Sequence, residues 1–315
     1  MRRAVSVGGE GFQLPTSNRW LPLPSAVPPH ARCYTFAMEE QSQVPGGDAL
    51  PPHPTLGRYY GHDGARPGFV RSLFDSAARD YDHIEGPMAL GGGRWYRREA
   101  LERAGLGRGM KVLDVAIGTG LVAREASRLA GEECVIGLDP SLGMLLEARR
   151  QLRVRGVLGL GEQLPLADDS FDFLSMGYAL RHLGDLTAAF GEFFRVLRPG
   201  GRVCVLELTR PRNRVGAAMI RFYLRRVVPV LTRLRTRNAD AELLMRYFWD
   251  TIENCVPPEA ILQALDAAGF VDVQRALSIG LFSEYTGRKP GPGLDPARPR
   301  APVGRGNFFL RNLER

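Results

Sequence analysis

The chain is expected to fold as a doubly wound α/β domain, a mostly parallel seven-stranded sheet with helices on both faces. Three observations predict this. Apolar runs of strand length alternate with helical patterns between about residues 111 and 286, the arrangement of parallel strands joined by crossover helices. The run Val112-Leu113-Asp114-Val115-Ala116-Ile117 leads directly into Gly118-Thr119-Gly120, a glycine turn between a strand and a helix. A second run, Val135-Ile136-Gly137-Leu138, ends on Asp139, nineteen residues after Gly120. That interval places an acid where strand–turn–helix units read ribose hydroxyls.

The elements follow in order. Helical patterns at about 68–80 and 94–104 precede a strand at 111–116. Then come a helix (120–130), a strand (134–139), a helix (140–152), and strands at 155–160 and 171–177. A helix (186–197) and a strand (202–208) follow, with Leu197-Arg198-Pro199-Gly200-Gly201 between them as a helix stop and turn. After an insert over 212–256 come a helix (258–268) and two closing strands, 270–276 and 279–286. Right-handed crossovers fix the winding. The folded unit is therefore read as 67–287, with the insert as a lid over the acceptor.

The flanks differ in composition. Residues 1–66 hold nine prolines and no sustained periodicity, so they are read as a disordered extension. Met38 offers an alternative start of translation. A transit peptide is the rival, but prolines 15, 22, 24, 28 and 29 break any targeting helix. Residues 288–315 form a second, basic, Pro/Gly-rich tail read as disordered. The formal charge of +8 resides mostly there: +5 in the tail, +1 in residues 1–66 and +2 between. All basic residues except Lys111 and Lys289 are arginines, with no aromatic-interleaved basic patch, so no nucleic-acid partner is expected. Cys33, Cys134, Cys204 and Cys255 are far apart, without metal-ligand spacing. Cys134 and Cys204 fall in strand-like runs and are read as small core residues. No apolar run reaches the ~18 residues of a membrane span, and a cytoplasmic location is expected.

The glycines alone leave two ligands open. Gly118-Thr119-Gly120-Leu121-Val122-Ala123 also satisfies the dinucleotide fingerprint of a nicotinamide-dependent oxidoreductase. A diphosphate over that turn would lie near Asp114, four residues before Gly118, and be repelled. S-adenosylmethionine carries a sulfonium and an ammonium and no phosphate, so an acid there attracts it.

Longer segments carry a resemblance. Asp114 to Gly120 resembles the first motif of class I S-adenosylmethionine-dependent methyltransferases, which have a Rossmann-like fold. Leu164 to Asp172 resembles the segment they place before the fourth strand. Arg195 to Arg202, followed by Val205-Leu206-Glu207-Leu208, is similar to one branch, the ubiquinone/menaquinone biosynthesis C-methyltransferase family. Phe74 to Asp82, Leu90-Gly91 with Arg94 and Arg97, and Tyr178 to His182 resemble further segments of it. So do Tyr247 to Pro257, Ala268-Gly269-Phe270, and Leu277 to Gly287. The resemblance covers about residues 68–287. It departs at Glu85-Gly86, Ala89, Gly93, Tyr96, Ile117, Leu160 and His182, where the family has other residues.

The resemblance implies S-adenosylmethionine as methyl donor and a small-molecule acceptor, a lipid-tailed quinol ring methylated at carbon. A phenol, polyketide or lipid acceptor is the alternative, and a donor-binding scaffold without catalysis a third reading. Asp114 would attract the donor's amino acid end and Asp139 accept from its ribose. Gly118 and Gly120 let the backbone approach, with Thr119 between them as a donor contact. Leu160-Gly161 hold adenine, and Gly177 adds a contact at the fourth strand's end. The bland reading of Asp114 is a turn or capping group, and that of Asp139 an N-cap for the helix starting at Pro140. Arg181 is expected to stabilise a phenolate and His182 to take its proton. The alternatives are an ordinary ion pair for Arg181 and a satisfied loop histidine for His182. Within 212–237, Arg214, Arg221 and Arg225 share one helical face while Val215, Met219 and Phe222 form another. This pattern is read as a peripheral membrane contact or as a solvated lid. Tyr223, Tyr247, Phe248 and Trp249 are candidates to line the acceptor pocket or the core.

Overall fold

The computed structural model describes residues 49–82, 93–211, 213–228, 230 and 239–291, and the paired two-residue strands Trp20–Leu21 and Thr35–Phe36. Met38, Glu85, Gly86, Ala89, Leu90 and Gly91 lie outside the described residues. So do residues 231–238 of the insert and the tail beyond 291.

Seven strands form one sheet: β1 (Val112–Val115), β2 (Val135–Asp139), β3 (Arg155–Leu158), β4 (Phe171–Gly177), β5 (Leu197–Leu208), β6 (Val271–Ser278) and β7 (Phe282–Arg288). Their order is β3-β2-β1-β4-β5-β7-β6. β1 pairs in parallel with both β2 and β4, and β7 runs antiparallel to both its neighbours. The order reverses between β1 and β4, the switch point outside which such sheets bind ligands.

The helices are α1 (Arg66–Ala77), α2 (Gly93–Arg103), α3 (Leu121–Ala130), α4 (Leu142–Gln151) and α5 (Leu186–Val196). The insert supplies α6 (Arg214–Phe222) and α7 (Ala239–Asn254), and α8 (Pro258–Ala267) precedes β6. All seven strands and six framework helices fall within a few residues of the expected positions. β5 differs most. It begins at Leu197, because the Pro199-Gly200-Gly201 turn bulges out between the pairs Phe171↔Leu197 and Phe173↔Arg202 and then rejoins the ladder. In the insert, α6 gives way to a π-helical turn, Tyr223–Val227.

Alternation along the strands sorts side chains onto two faces. Leu113, Ile136, Leu174, Val203 and Val205 pack with Phe190 and Phe193 of α5. Val112, Val135, Phe173, Cys204 and Leu206 pack with α2 and α3. Being buried on both faces, these strands read as continuous apolar runs. Cys204 is fully buried, whereas Cys134 is only half-buried.

Two boundaries differ from expectation. Residues 49–66, assigned by composition to the extension, form a strap against the domain. Leu50 N donates to the Asp185 carboxylate at the α5 N-cap (3.0 Å), Leu186 N donates to Leu50 O (2.9 Å), and Val256 N to Pro52 O (2.8 Å). At the other end, Lys289, assigned to the tail, donates through Nζ to the Phe194 and Leu197 carbonyls (2.9 and 2.7 Å), closing the C-terminus of α5. Around Pro51 and Pro52 the strap is fastened by hydrogen bonds to the domain, while further along it closes turns of its own, as from Tyr59 N to Leu56 O (2.8 Å).

Candidate active site

A cleft opens at the carboxyl ends of β1, β2 and β4. Eight of the ten sequence-predicted site residues line it: Asp114, Gly118, Thr119, Asp139, Leu160, Gly161, Gly177 and His182. Gly120 and Arg181 do not.

The floor is set by the turn after β1. Ala116 (φ 55°) and Gly118 (φ 56°) both take left-handed backbone, as does Tyr178 (φ 61°) just after β4. The two non-glycine residues flank the switch point, where strained backbone is held by the surrounding fold. A Cβ at Gly118 would meet nothing within 4 Å, so the space beside this turn is open to a ligand. Gly120 serves another purpose. Its Cβ would come within 2.6 Å of Leu152, so it lets the start of α3 approach the end of α4. Ile117 is accommodated because it lies over Gly137 of β2, where a Cβ would be 2.2 Å from its Cδ1.

The two acids are buried differently. Asp139 accepts from the Gly118 and Ser141 amides at 2.8 and 2.9 Å. It is not the α4 N-cap: Ser141 is, accepting from Met144 N at 3.0 Å. Burial lifts the Asp139 carboxyl to about 6 against the pull of those amides. Asp114 accepts from Ser175 Oγ at 2.6 Å through Oδ1, while its buried Oδ2 has no partner at hydrogen-bonding geometry among the described residues, the Ala123 amide nearby only moderating its pKa. Burial pushes it up to about 7. The group is not a satisfied turn acid. A buried carboxylate oxygen without a donor is costly, and a cation or ammonium at that point relieves it.

Thr119 is spoken for. Its hydroxyl donates to Asp82 Oδ1 at 2.6 Å, and Gln151 Nε2 donates to the other Asp82 oxygen at 2.8 Å. Together with Asp75 of α1, which accepts from Ser141 Oγ (2.6 Å) and Gly143 N (2.9 Å), this fastens residues 75–82 along one edge of the cleft. Leu160 and Gly161 form the wall after β3, closed by a tight turn to Gln163. A Cβ on Gly161 would lie 3.0 Å from Leu183, and one on Gly177 2.4 Å from Val122.

The other half of the cleft is aromatic. The His182 ring stacks on Tyr247 at 5.3 Å and meets Phe74 edge-on at 5.2 Å, with Phe248 at 5.6 Å. Both its ring nitrogens are buried and have no hydrogen-bond partner among the described residues. Burial and the neighbouring Arg181 charge hold it well below the usual histidine value, so it is neutral at pH 7. It is therefore not a satisfied loop histidine. Arg181 lies behind it, fully buried and ion-paired with Glu207 of β5. Its Nε donates to Thr251 Oγ1 at 3.1 Å and its Nη1 to Tyr178 O at 3.0 Å, with the guanidinium 4.9 Å from the Phe248 ring centre. Because these contacts turn the guanidinium toward β5 and α7, Arg181 supports the loop that carries His182. Tyr247, Phe248 and Trp249 are buried, and Tyr223 is half-buried against the same cluster.

Sequence reasoning overlooked several lining residues. Arg97 of α2 lines the cleft with its guanidinium 5.5 Å from the Tyr178 ring centre. Its signal was present, an arginine inside a matching segment on a buried helical face. Glu162 lines the cleft and accepts from Gly184 N at 2.5 Å. Arg66 at the start of α1 gave no signal. It is buried, donates to Leu183 O (3.2 Å) and His53 O (3.0 Å), and so ties the strap to the His182 loop.

The cleft thus joins a pocket with two buried carboxyls, Asp114 and Asp139, to an apolar chamber holding a neutral imidazole. Comparisons agree with that chemistry. A demethylmenaquinone methyltransferase of Mycobacterium sp. (strain JLS) is 37% identical over 225 residues, covering 71% of this chain and 95% of that protein. The enzyme of the same name from Mycobacterium marinum is 36% identical over 227 residues, covering 72% and 96%. Among solved structures, an S-adenosylmethionine-dependent methyltransferase of Thermotoga maritima matches with a TM-score of 0.51 at 20% identity, over 70% of this chain and 99% of that one. The [4+2]-cyclase SpnF matches with a TM-score of 0.50 at 18% identity, over 71% and 97%. These structures share the fold, and the cyclase shows that the fold alone does not name a reaction. Residues 62–289 match the ubiE/COQ5 methyltransferase family as a whole; this chain belongs to that family and is a methyltransferase.

Proposed function

We propose that the protein transfers the methyl group of S-adenosylmethionine to a ring carbon of a lipid-tailed quinol of the demethylmenaquinol type, as a cytoplasmic enzyme working at a membrane surface. The observation that carries this is that one continuous cleft holds Asp114 Oδ2 and a neutral His182, whose buried polar atoms have no hydrogen-bond partner among the described residues. Support for the acceptor comes from the names of the relatives at 36–37% identity and from the apolar, aromatic chamber.

The residues fit the donor. Asp139 would accept from the ribose hydroxyls and Asp114 from the amino group, while Arg97, which lines the same cleft, would pair with the donor's carboxylate. Leu160, Gly161 and Leu183 would flank adenine, and the open side of Gly118 admits the chain between. Bound there, the donor supplies an electrophilic methyl group on a sulfonium, so the protein's work is alignment and exclusion of water. His182 takes the proton of the acceptor hydroxyl, which makes the neighbouring ring carbon nucleophilic. As that carbon gains the methyl group, the methyl–sulfur bond would break with its electron pair left on sulfur; His182 hands the first proton back to the oxygen and, neutral again, takes the hydrogen that the ring carbon sheds as a proton, which passes on to solvent. Arg181 acts through position, fixing the loop that carries His182.

A second reading rests on His182 itself, which stands where the resembling family has asparagine. A phenolic ring of another kind would meet the same base. The test is mass spectrometry after incubating the protein with labelled donor and reduced demethylmenaquinone. A product heavier by one methyl group, with the label on ring carbon, is expected. Label on oxygen, or on a different phenol only, overturns the quinol assignment.

A further inference from the structure

We propose that α6 and the turn after it dock the enzyme on an anionic lipid surface. This rests on the lipid-tailed acceptor proposed above and adds the face and the lipid charge. One side of α6 is committed to the protein: Ala217, Leu224 and Val228 are buried, and Ile220 and Tyr223 pack on the cluster that contains Tyr247 and Phe248. The opposite side carries Val215, Met219 and Phe222, spaced i, i+4, i+7, which are 71%, 66% and 63% exposed; Val230 follows at 58%. Four large apolar side chains in one row are more than scattered surface hydrophobics.

Charge selects the partner. Residues 210–239 contain nine arginines and no Asp or Glu. Arg221 and Arg225 are paired with Glu253 and Asp250 of α7 beneath them. Arg210, Arg214 and Arg226 are exposed. An apolar row flanked by arginines is what a helix lying in the headgroup region of an anionic bilayer requires. A second copy fits poorly, since a two-fold contact through this face would set the arginine block against itself. Nucleic acid fits poorly too, because only Phe222 of the four exposed apolar residues offers a ring for bases to stack on.

Placement agrees with the acceptor's route. α6 begins six residues beyond Leu208, at the ligand-binding end of the sheet. Thr209 N donates to Leu281 O at 2.7 Å, bringing the β6–β7 turn, with Ile279 61% exposed, beside the entry to α6. The inner side of α6 and the His182 chamber share one aromatic cluster. A tail in the bilayer therefore reaches the chamber along a helix that the bilayer itself contacts.

The test is sedimentation of the full chain with vesicles of phosphatidylcholine containing about one-quarter phosphatidylglycerol, and with phosphatidylcholine alone. Binding to the anionic vesicles only, weakened by salt, is expected. Met219→Glu/Phe222→Glu should reduce it by about tenfold or more, with unchanged melting temperature and unchanged affinity for S-adenosylhomocysteine. Equal sedimentation of the variant, equal binding to neutral vesicles, or a dimer that the variant dissolves without any vesicle binding would each overturn the proposal. A tail-less quinol separates it from the acceptor assignment. Turnover of that compound without vesicle binding removes the docking face alone. Vesicle binding without turnover of any quinol removes the acceptor alone.

Discussion

The half of the cleft over β1, β2 and β3 and the half over β4, β5 and the insert are built from different material. The first is made of strand-end acids, glycines and backbone amides, each within about four residues of a strand. The second is made of large side chains brought from α1, the loop at 178–184 and α7, which meet only through packing. A methyl donor is the same molecule for every enzyme of this class, so its half can be hard-wired into the sheet. An acceptor varies, and its half is assembled from parts that change without disturbing the strands. The departures from the resembling family touch both halves: His182 lies on the second, Ile117 and Leu160 on the first, where Asp114, Gly118 and Asp139 keep the pattern.

Substitutions can sharpen or break this division. The largest effect is expected at the seam. Arg181→Ala leaves Glu207 charged and alone in the core, costing roughly 3–5 kcal/mol of stability and lowering the melting temperature by about 10 °C. Surviving folded protein should bind S-adenosylhomocysteine within about threefold of wild type yet turn over little; near-normal turnover would remove Arg181 from any role in the reaction. Next is His182→Ala, for which kcat should fall about 10²- to 10³-fold with donor affinity unchanged. If donor affinity fell in step, the two halves would be one. Asp114→Asn should weaken S-adenosylhomocysteine about a hundredfold by calorimetry, with the ligand-free protein gaining stability at pH 8.

The smallest effect is set by pH. Burial raises the Asp114 carboxyl to about 7 and Asp139 to about 6; ionised, Asp114 attracts the donor's ammonium and Asp139 accepts better from its ribose. Donor affinity should therefore rise with pH, by about tenfold between pH 6 and 8, and level off above. The ligand-free fold goes the other way. A carboxyl whose folded value is raised favours the fold below its unfolded value, and that contribution is lost as pH climbs through 7. Thermal melts without ligand should lose roughly 1 kcal/mol over the same interval, and Asp114→Asn should flatten the trend. Melts that stay level in the wild type would place Asp114 in contact with water.

The first half was legible in the sequence because its chemistry is local. Asp114, Gly118 and Asp139 sit at fixed intervals from apolar runs, and the strand period carries them to the sheet's end. Gly120 was misjudged because a glycine turn serves both ligand and helix packing, and only Leu152, thirty-two residues on, decides which. Thr119 lines the cleft as expected, but the bond from its hydroxyl to Asp82, thirty-seven residues back, could not be read from the sequence. Arg181 and His182 were found as a pair, but their division of labour depends on Glu207 and Thr251, which lie 26 and 70 residues away. Arg66 and His53 gave nothing to read, since a buried arginine on an amphipathic helix looks in sequence like a solvated one.

The strap has a practical consequence for anyone who trims this protein. A fragment cut to residues 62–289, where homology begins and ends, would carry Arg66 but not the His53 carbonyl it holds, nor Leu50 at the start of α5, nor Pro52 before α8. Such a truncation would uncover Tyr247 and loosen the segment bearing the imidazole while leaving the donor pocket whole. The stretch that matches the family is shorter than the one that holds its shape.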